Sequence, residues 1–403
     1  MTAFQVEGAR VMLDDRVERV ALRVENGRIA GIDVAAGGAR RIDAAGVLLA
    51  PAFVDIHGDA FERQLMPRPG VMSPVDVALF DTDRQLAANR IATAYHAHAL
   101  DWEPGLRSVA TARTVLDALA RLAPRLAVEN RVQVRWETFC LDALPFVQAA
   151  LGGPVPVSFA FNDHTSMAML DPSVRMHDRP FELDPAYPQA DVTGLAASAK
   201  LALRAQRSGV SAAEYVALLA RVWDRRPGVR DGIEAVAAQA RAAGVPMLSH
   251  DDTQTETRRF YRGLGARIAE FPMHRRVLAE ARAAGDLIAF GAPNAMRGGS
   301  HLGSLGAAAM IAEGFCDILA SDYYYPAMLG AVARLHSDRV APLPALWKLV
   351  SENPARAMGL PDRGRIVPGL RADLQLIDWP EGGTPSVVAL WSGGRAVFGP
   401  LAR

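Results

Sequence analysis

The stretch Pro51-Ala-Phe-Val-Asp-Ile-His57-Gly-Asp59 closes an apolar run with two metal-binding side chains two residues apart. In a β-strand, residues i and i+2 point the same way, so the His57 imidazole and the Asp59 carboxylate face one point. Alone, a His-x-Asp pair is more often an ordinary polar contact at a strand end than a pair of metal ligands. The rest of the chain decides between the two.

Seven further β-prone runs follow between Ala-rich segments of helical periodicity, giving strands expected over 53–59, 91–97, 132–138, 155–161, 246–250, 267–271, 287–291 and 318–322. Eight βα units are the number that closes a barrel, so the chain reads as an α/β protein built on a (β/α)8 TIM barrel. Both ends are rich in short β-prone runs and turn signals such as Asn26-Gly27, and they are expected to pair into one small β-sandwich. The organisation expected is therefore a sandwich from residues 1–52 and 361–403 around a barrel over 53–360. About 80 residues, 165–245, separate the fourth and fifth strands, far more than a βα connection needs, and carry helical periodicity. They read as a helical insertion, either a lid or dimer arm or an extra set of surface helices.

Composition narrows the function. The 403 residues carry 44 basic and 44 acidic side chains, so no overall field draws the chain to nucleic acid or to an anionic membrane. Cys140 and Cys316 lack zinc-knuckle spacing and read as buried thiols in a reducing compartment. The first residues lack the pattern of a signal peptide, and the most apolar run, 143–161, is broken by prolines and glycines. A cytoplasmic location is expected.

Barrel enzymes keep their chemistry at the C-terminal strand ends. Those ends here carry His57 and Asp59, His96 and His98, Glu137, Asp163 and His164, His250 with Asp251 and Asp252, Glu270, and Asp322. Five of the nine histidines fall there. Imidazoles and carboxylates without a nearby thiolate suit Zn, Fe or Mn in an open site. Two neighbouring ions need a bridging anion, and the only lysines, Lys200 and Lys348, lie off the expected strands. Glu137 is the candidate bridge. Asp322 and Asp252 have a plainer reading as helix N-caps, and Glu270 as the partner of a buried Arg. His96 and His98 read equally as ligands, substrate contacts or packed core.

After the seventh strand, Gly291-Ala-Pro-Asn294-Ala-Met-Arg297-Gly298-Gly299-Ser300-His301 combines a guanidinium with consecutive glycines, which suits a phosphate cradle. Arg63 and Arg68, in Arg63-Gln-Leu-Met-Pro-Arg68-Pro-Gly, form a second basic element or an ordinary surface turn.

These residues together resemble the amidohydrolase superfamily, through the Pro-x-Phe-Val-Asp-x-His opening and the Gly364-Arg-Ile-Val-Pro-Gly-Leu-Arg-Ala-Asp-Leu374 close. Within it, His57-Gly-Asp59, Pro67-Arg68-Pro-Gly, Asp163-His164, Ser249-His250-Asp251-Asp252, Glu270-Phe-Pro, the 291–301 loop and Asp317-Ile-Leu-Ala-Ser-Asp322-Tyr-Tyr are similar to one branch. That branch comprises the alpha-D-ribose 1-methylphosphonate 5-triphosphate diphosphatases of bacterial phosphonate metabolism. The resemblance implies a metal-dependent hydrolase that cleaves a ribose-linked triphosphate to the 5-phosphate and pyrophosphate.

It also implies two divalent ions, Zn or Fe/Mn, held by His57, Asp59, Glu137, His164, His250 and Asp322. Asp322 would accept the proton of a metal-activated water that attacks phosphorus. His301 would polarise a phosphoryl oxygen or protonate the leaving group. Arg297, Gly298, Gly299, Ser300, Arg68, Arg63 and Asn294 would bind the phosphorylated substrate. No nucleic-acid or membrane partner is implied, and a homodimer is the superfamily expectation. The chain departs from the branch at Gly58, where Thr is expected, at His96, where Asp is expected, and in the segment 101–108. A neighbouring substrate fits those departures. Two other readings stand beside this one: a C–N hydrolase or deaminase of the same fold, and a metal-free scaffold, against which the density of ionisable groups weighs.

Overall fold

The computed structural model describes residues 3–192, 199–298 and 305–400. Seven strands precede the barrel: β1 (Phe4–Glu7), β2 (Arg10–Met12), β3 (Val17–Arg19), β4 (Leu22–Glu25), β5 (Arg28–Ile32), β6 (Arg40–Asp43) and β7 (Leu48–Pro51). The barrel strands follow: β8 (Phe53–Gly58), β9 (Ile91–Leu100), β10 (Glu129–Glu137), β11 (Val157–Asn162), β12 (Met247–His250), β13 (Ile268–Glu270), β14 (Leu287–Gly291) and β15 (Ile318–Ala320). The chain ends with β16 (Leu374–Asp378), β17 (Ser386–Ser392) and β18 (Arg395–Phe398).

The strands from the two ends make two sheets, ordered β5-β4-β1-β6 and β18-β17-β16-β7-β2-β3. In the second, β7 pairs antiparallel with β16, so the N- and C-terminal segments share a sheet as their patterning suggests. Phe4, Val24 and Ile29 of the first sheet share a buried core with Leu49, Leu374 and Trp391 of the second.

The eight middle strands pair in sequence, each parallel to the next. All residues of β9, β11 and β12 are buried, the near-continuous pattern of a parallel sheet covered on both faces. Closure falls between β15 and β8, through a parallel bridge between Gly58 and Asp322. The Asp322 amide donates to the His57 carbonyl at 2.9 Å and the Asp59 amide to the Asp322 carbonyl at 3.0 Å. Below this level Val54, Ile56, Tyr95, Ala160, Leu248, Ile268, Ala289 and Ile318 fill the interior. Each large apolar side chain there contributes about 1.5–3 kcal/mol by leaving water. They form a rigid floor under the strand ends.

The long connection after β11 is helical, with helices at Ala199–Ser208, Ala212–Trp223 and Arg226–Ala242. Ser211 and Glu214 form a capping box at the start of the second. Met169, Leu201, Ala205, Tyr215 and Leu219 give this part a small core of its own. Among the described residues no helix is long and apolar enough to cross a membrane, and both cysteines are buried free thiols.

Candidate active site at the barrel mouth

Glu270 ends β13 fully buried, and its two oxygens divide between two histidines. Oε1 lies 3.0 Å from His57 Nδ1 and Oε2 lies 2.8 Å from His250 Nδ1. Gln133 Nε2 also donates to Oε1, at 2.8 Å. Burial alone would raise the Glu270 pKa, but His57 and His250 hold it well below the usual carboxylate range. Burial likewise opposes a charged His57, yet the Glu270 carboxylate outweighs it and raises the ring's pKa. The sequence reading of Glu270 as the partner of a buried Arg is thus corrected: its partners are His57, His250 and Gln133. A carboxylate behind an imidazole fixes the ring's tautomer and orientation.

The other side of the two rings faces Arg135. Its guanidinium nitrogens lie 3.5 Å from His57 Nε2 and 3.5 Å from His250 Nε2. One of them lies 3.7 Å from Asp59 Oδ2. His250 Nε2 also lies 3.5 Å from Asp251 Oδ2.

Barrel closure brings His57, Asp59 and Asp322 together, with one ligand atom from each within 4.8 Å of the others. Asp322 is held at a φ of 56°, a left-handed conformation unfavourable for a side-chain-bearing residue. Its carboxyl is pushed up to about 7, first by burial and then by the charge of Asp59. Behind it, Ser321 donates from its amide and hydroxyl to buried Asp55, at 3.0 and 2.5 Å. These contacts explain Gly58. A Cβ at that position would lie 2.7 Å from Asp55 Oδ2 and 2.9 Å from Ser321 Oγ, so the Thr of the resembled branch has no room here.

His164 opens a short helix after β11 and groups with His250 and Asp251 in the same way. Burial, then Arg204, holds its ring well below the usual imidazole range, so it is neutral and able to ligate. Glu137 lies on the far side of His164, with Asp101. It accepts four hydrogen bonds, from Asn162 Nδ2, the His164 and Thr165 amides and the Thr165 hydroxyl. Those bonds use the acceptor capacity of a carboxylate. Glu137 therefore positions the His164 turn, and with Asp101 and His164 it also forms a group whose ligand atoms lie within 4.8 Å of one another. Lys200 and Lys348 both lie in helices.

The insertion reaches this side directly. Arg179 donates to the carbonyls of Asp163 and Asp251 at 3.3 Å, and Arg204 to that of His164 at 3.5 Å. The segment 101–108 docks the insertion: Glu103 pairs with Arg207 and accepts from the Tyr215 hydroxyl.

His96 and His98 take the packed-core reading. Tyr95 faces the barrel interior, so alternation turns both histidines outward against Phe61. Burial pushes His98 down to about 4. Among the described residues neither joins a metal-type cluster.

A cavity of about 270 Å³ opens over these groups, lined by His57, Asp59, Arg135, His250, Asp322 and Asn294 among others. Of the residues read as phosphate-binding, Asn294 lines it. Arg63 donates to the carbonyl of Tyr323, also in the lining, at 2.9 Å. Arg68 and Arg297 are exposed and outside the lining, and Gly298 caps the helix Ala292–Arg297 with a φ of 82°. Gly299, Ser300 and His301 lie outside the described residues.

The donors fit a divalent cation: imidazole nitrogens stand beside carboxylates whose mutual repulsion a cation relieves. Sequence reasoning missed Arg135, and alternation along β10 would have found it. Val132, Val134 and Trp136 pack outward among the helices, which turns Gln133, Arg135 and Glu137 inward.

Comparison with known proteins agrees with this architecture. An Escherichia coli (strain K12) protein, alpha-D-ribose 1-methylphosphonate 5-triphosphate diphosphatase, is 29% identical over 399 residues, covering 98% of this chain and 100% of that one. Among solved structures, phenylurea hydrolase B superimposes with a TM-score of 0.64 at 14% identity, covering 100% of both chains. A β-aspartyl dipeptidase from Fervidobacterium islandicum AW-1 does so at 0.62 and 13%, covering 99% of this chain and 97% of that one. At such identities those two likenesses are of fold alone. The model of the amidohydrolase family matches residues 195–398, more than half of the chain. With the barrel, its strand-end histidines and carboxylates and this match together, the chain belongs to the amidohydrolase family.

Proposed function

We propose that this hydrolase cleaves a phosphoanhydride bond of a ribose-linked triphosphate, converting alpha-D-ribose 1-methylphosphonate 5-triphosphate to the 5-phosphate and pyrophosphate. The observation that carries the reading is the end-to-end similarity to a diphosphatase of that name. The guanidinium at the floor of the cavity adds to it, since it complements an anionic substrate.

His57, Asp59, His250 and Asp322, with His164 and Asp251 beside them, would hold zinc, iron or manganese. Such an ion supplies Lewis acidity and lowers the pKa of water. The chain's own groups do the rest. Asp322, with its pKa near neutrality, receives the proton of the attacking water. Glu270 keeps both imidazoles turned toward the cavity. Asn294 meets the phosphates from the wall, Arg63, Arg68 and Arg297 supply positive charge to them, Gly298, Gly299 and Ser300 bind them, and His301 protonates the leaving pyrophosphate. A cytoplasmic homodimer completes the reading. The C–N hydrolase alternative rests on fold alone.

Phosphorus NMR of the metal-loaded protein with the ribose triphosphate tests this. Pyrophosphate should appear, and Arg297→Ala should raise KM about 10- to 100-fold by removing a charge-assisted phosphate contact. A protein that holds metal yet releases no pyrophosphate would overturn the substrate assignment and favour C–N hydrolysis.

A further inference from the structure

Glu270-Phe271-Pro272 aims two consecutive side chains at one target, which a strand does not ordinarily do. Along β13, Ile268 fills the barrel interior, Ala269 shares the outer core with Leu278 and Ala281 of the next helix, and Glu270 turns inward to His57 and His250. Alternation would send Phe271 outward. Instead its backbone takes the left-handed φ of 53°, and the ring comes back to line the cavity and pack on the interior cluster. That conformation is unfavourable for a bulky residue, and Pro272 restricts it further. The turn is tied down on both sides: the Phe271 amide donates to the Ala289 carbonyl at 3.0 Å and the Met273 amide to that of Asp252 at 2.9 Å. The strained turn secures contact with both imidazoles. The Phe271 ring stands edge-on to His57, with centroids 4.9 Å apart and planes at 65°, and to His250, at 5.3 Å and 71°, while the two imidazoles lie 11° from parallel. Glu270 meets each imidazole at one nitrogen, and His57 Nδ1, although 3.0 Å from Oε1, makes no aligned hydrogen bond. One point of contact sets where a ring sits. The tilt of its plane needs a second, and Phe271 supplies it to both.

We propose that Phe271 is a positioning residue for the metal site: its ring, turned inward by the left-handed backbone, sets the tilt at which His57 and His250 present their nitrogens to an ion. The inference rests on the metal-dependent reading above and adds to it an apolar residue that acts through the two imidazoles. An imidazole nitrogen donates in the plane of its ring, so a tilt weakens the bond to an ion even where the ring hardly moves. A phenyl ring is rigid and reaches both planes at once, where an aliphatic side chain would fill the space without fixing either.

The test titrates metal-free protein with CoCl2, reading the affinity and the visible d–d absorption of the bound ion, with urea midpoints measured alongside. Phe271→Ala should bind cobalt about 10-fold more weakly than wild type, with an altered absorption band. Phe271→Gly, which also relieves the left-handed backbone, should be the more stable of the two variants yet bind cobalt no better, since the ring is missing from both. A purely structural residue would instead make cobalt affinity follow stability. Wild-type affinity and spectrum in a folded Phe271→Ala, or affinity that recovers with stability in Phe271→Gly, would overturn the proposal and leave the metal-dependent reading intact. No cobalt bound by the wild type would overturn both. Should neither variant fold, Phe271→Leu decides: wild-type cobalt binding there overturns the positioning role, and binding weakened about 10-fold supports it.

Discussion

The two ends of the barrel use the same residue types for opposite purposes. At the N-terminal end, Glu129 at the start of β10 is surrounded by arginines: it pairs with Arg131, Arg363 and Arg371. Arg363 also donates to Thr93 at 2.8 Å, and Arg131 to the Tyr95 hydroxyl at 3.1 Å. Arg363 and Arg371 come from the segment leading into β16, so this knot ties the barrel to the terminal sheets. At the C-terminal end the ratio inverts, and one guanidinium faces two histidines and a cluster of carboxylates. The acids respond accordingly. Burial would raise Glu129, but its arginines bring it to about 2, whereas burial and Asp59 bring Asp322 to about 7. Charges at one end are satisfied within the chain. At the other they are kept available to an ion and a substrate, which is where perturbed acids are expected in an enzyme.

The largest effect that would break this contrast is at Asp322. Asp322→Asn keeps the backbone bridge to β8 but removes the proton acceptor and one ion donor. The rate of pyrophosphate release should fall about 10³-fold, measured alongside bound metal so that loss of ion and loss of base are separated. A fall of less than tenfold would mean that the C-terminal acids are not the specialised ones.

Glu129 sharpens the other side of the comparison through stability. A carboxyl depressed in the folded state stabilises fully above its unfolded pKa and loses that contribution as pH falls toward the folded value. For Glu129 the window runs from about 4.5 down to about 2. Glu129→Gln should therefore cost roughly 2–3 kcal/mol at pH 7, read from urea unfolding, with the difference from wild type shrinking through that window. Catalysis per folded molecule should stay unchanged. A penalty that persists undiminished at the bottom of the window would assign the loss to packing.

How much of this was legible depends on how far apart in sequence the partners lie. The eight strands and the helical insertion were readable because periodicity is local. The cluster of His57, Asp59 and Asp322 was readable because the barrel rule puts strand ends together. The roles of Arg135 and Glu270 were not, since they depend on which side chains meet across the barrel: Gln133 reaches Glu270, and Arg135 reaches His57 and His250 at once. Gly58 stood out only as a departure, because the groups that leave it no Cβ include Ser321 and Tyr325, more than 260 residues away. The Glu129 knot was hidden for the same reason.

Backbone conformation carries the comparison to its smallest effect. Asp251, Phe271 and Asp322, with φ of 59°, 53° and 56°, follow three of the barrel strands and all line the cavity. Arg339 has the same φ of 56° but lies exposed past the helix Ala327–Ser337. There the Arg339 amide donates to His336 and the Val340 amide to Leu335, the pattern of a helix C-terminus that glycine favours. Arg339→Gly should therefore stabilise the protein by about 0.5–1 kcal/mol, as a rise in the urea midpoint without a change in activity. The same relief is not open to Phe271, whose ring packs edge-on against His57 and His250. At the barrel mouth the strained backbone is tied to side chains the chemistry uses, and at the surface helix end it is a cost that a single substitution removes. If Arg339→Gly proves neutral or destabilising, the arginine side chain contributes there, and left-handed backbone would no longer separate the two regions.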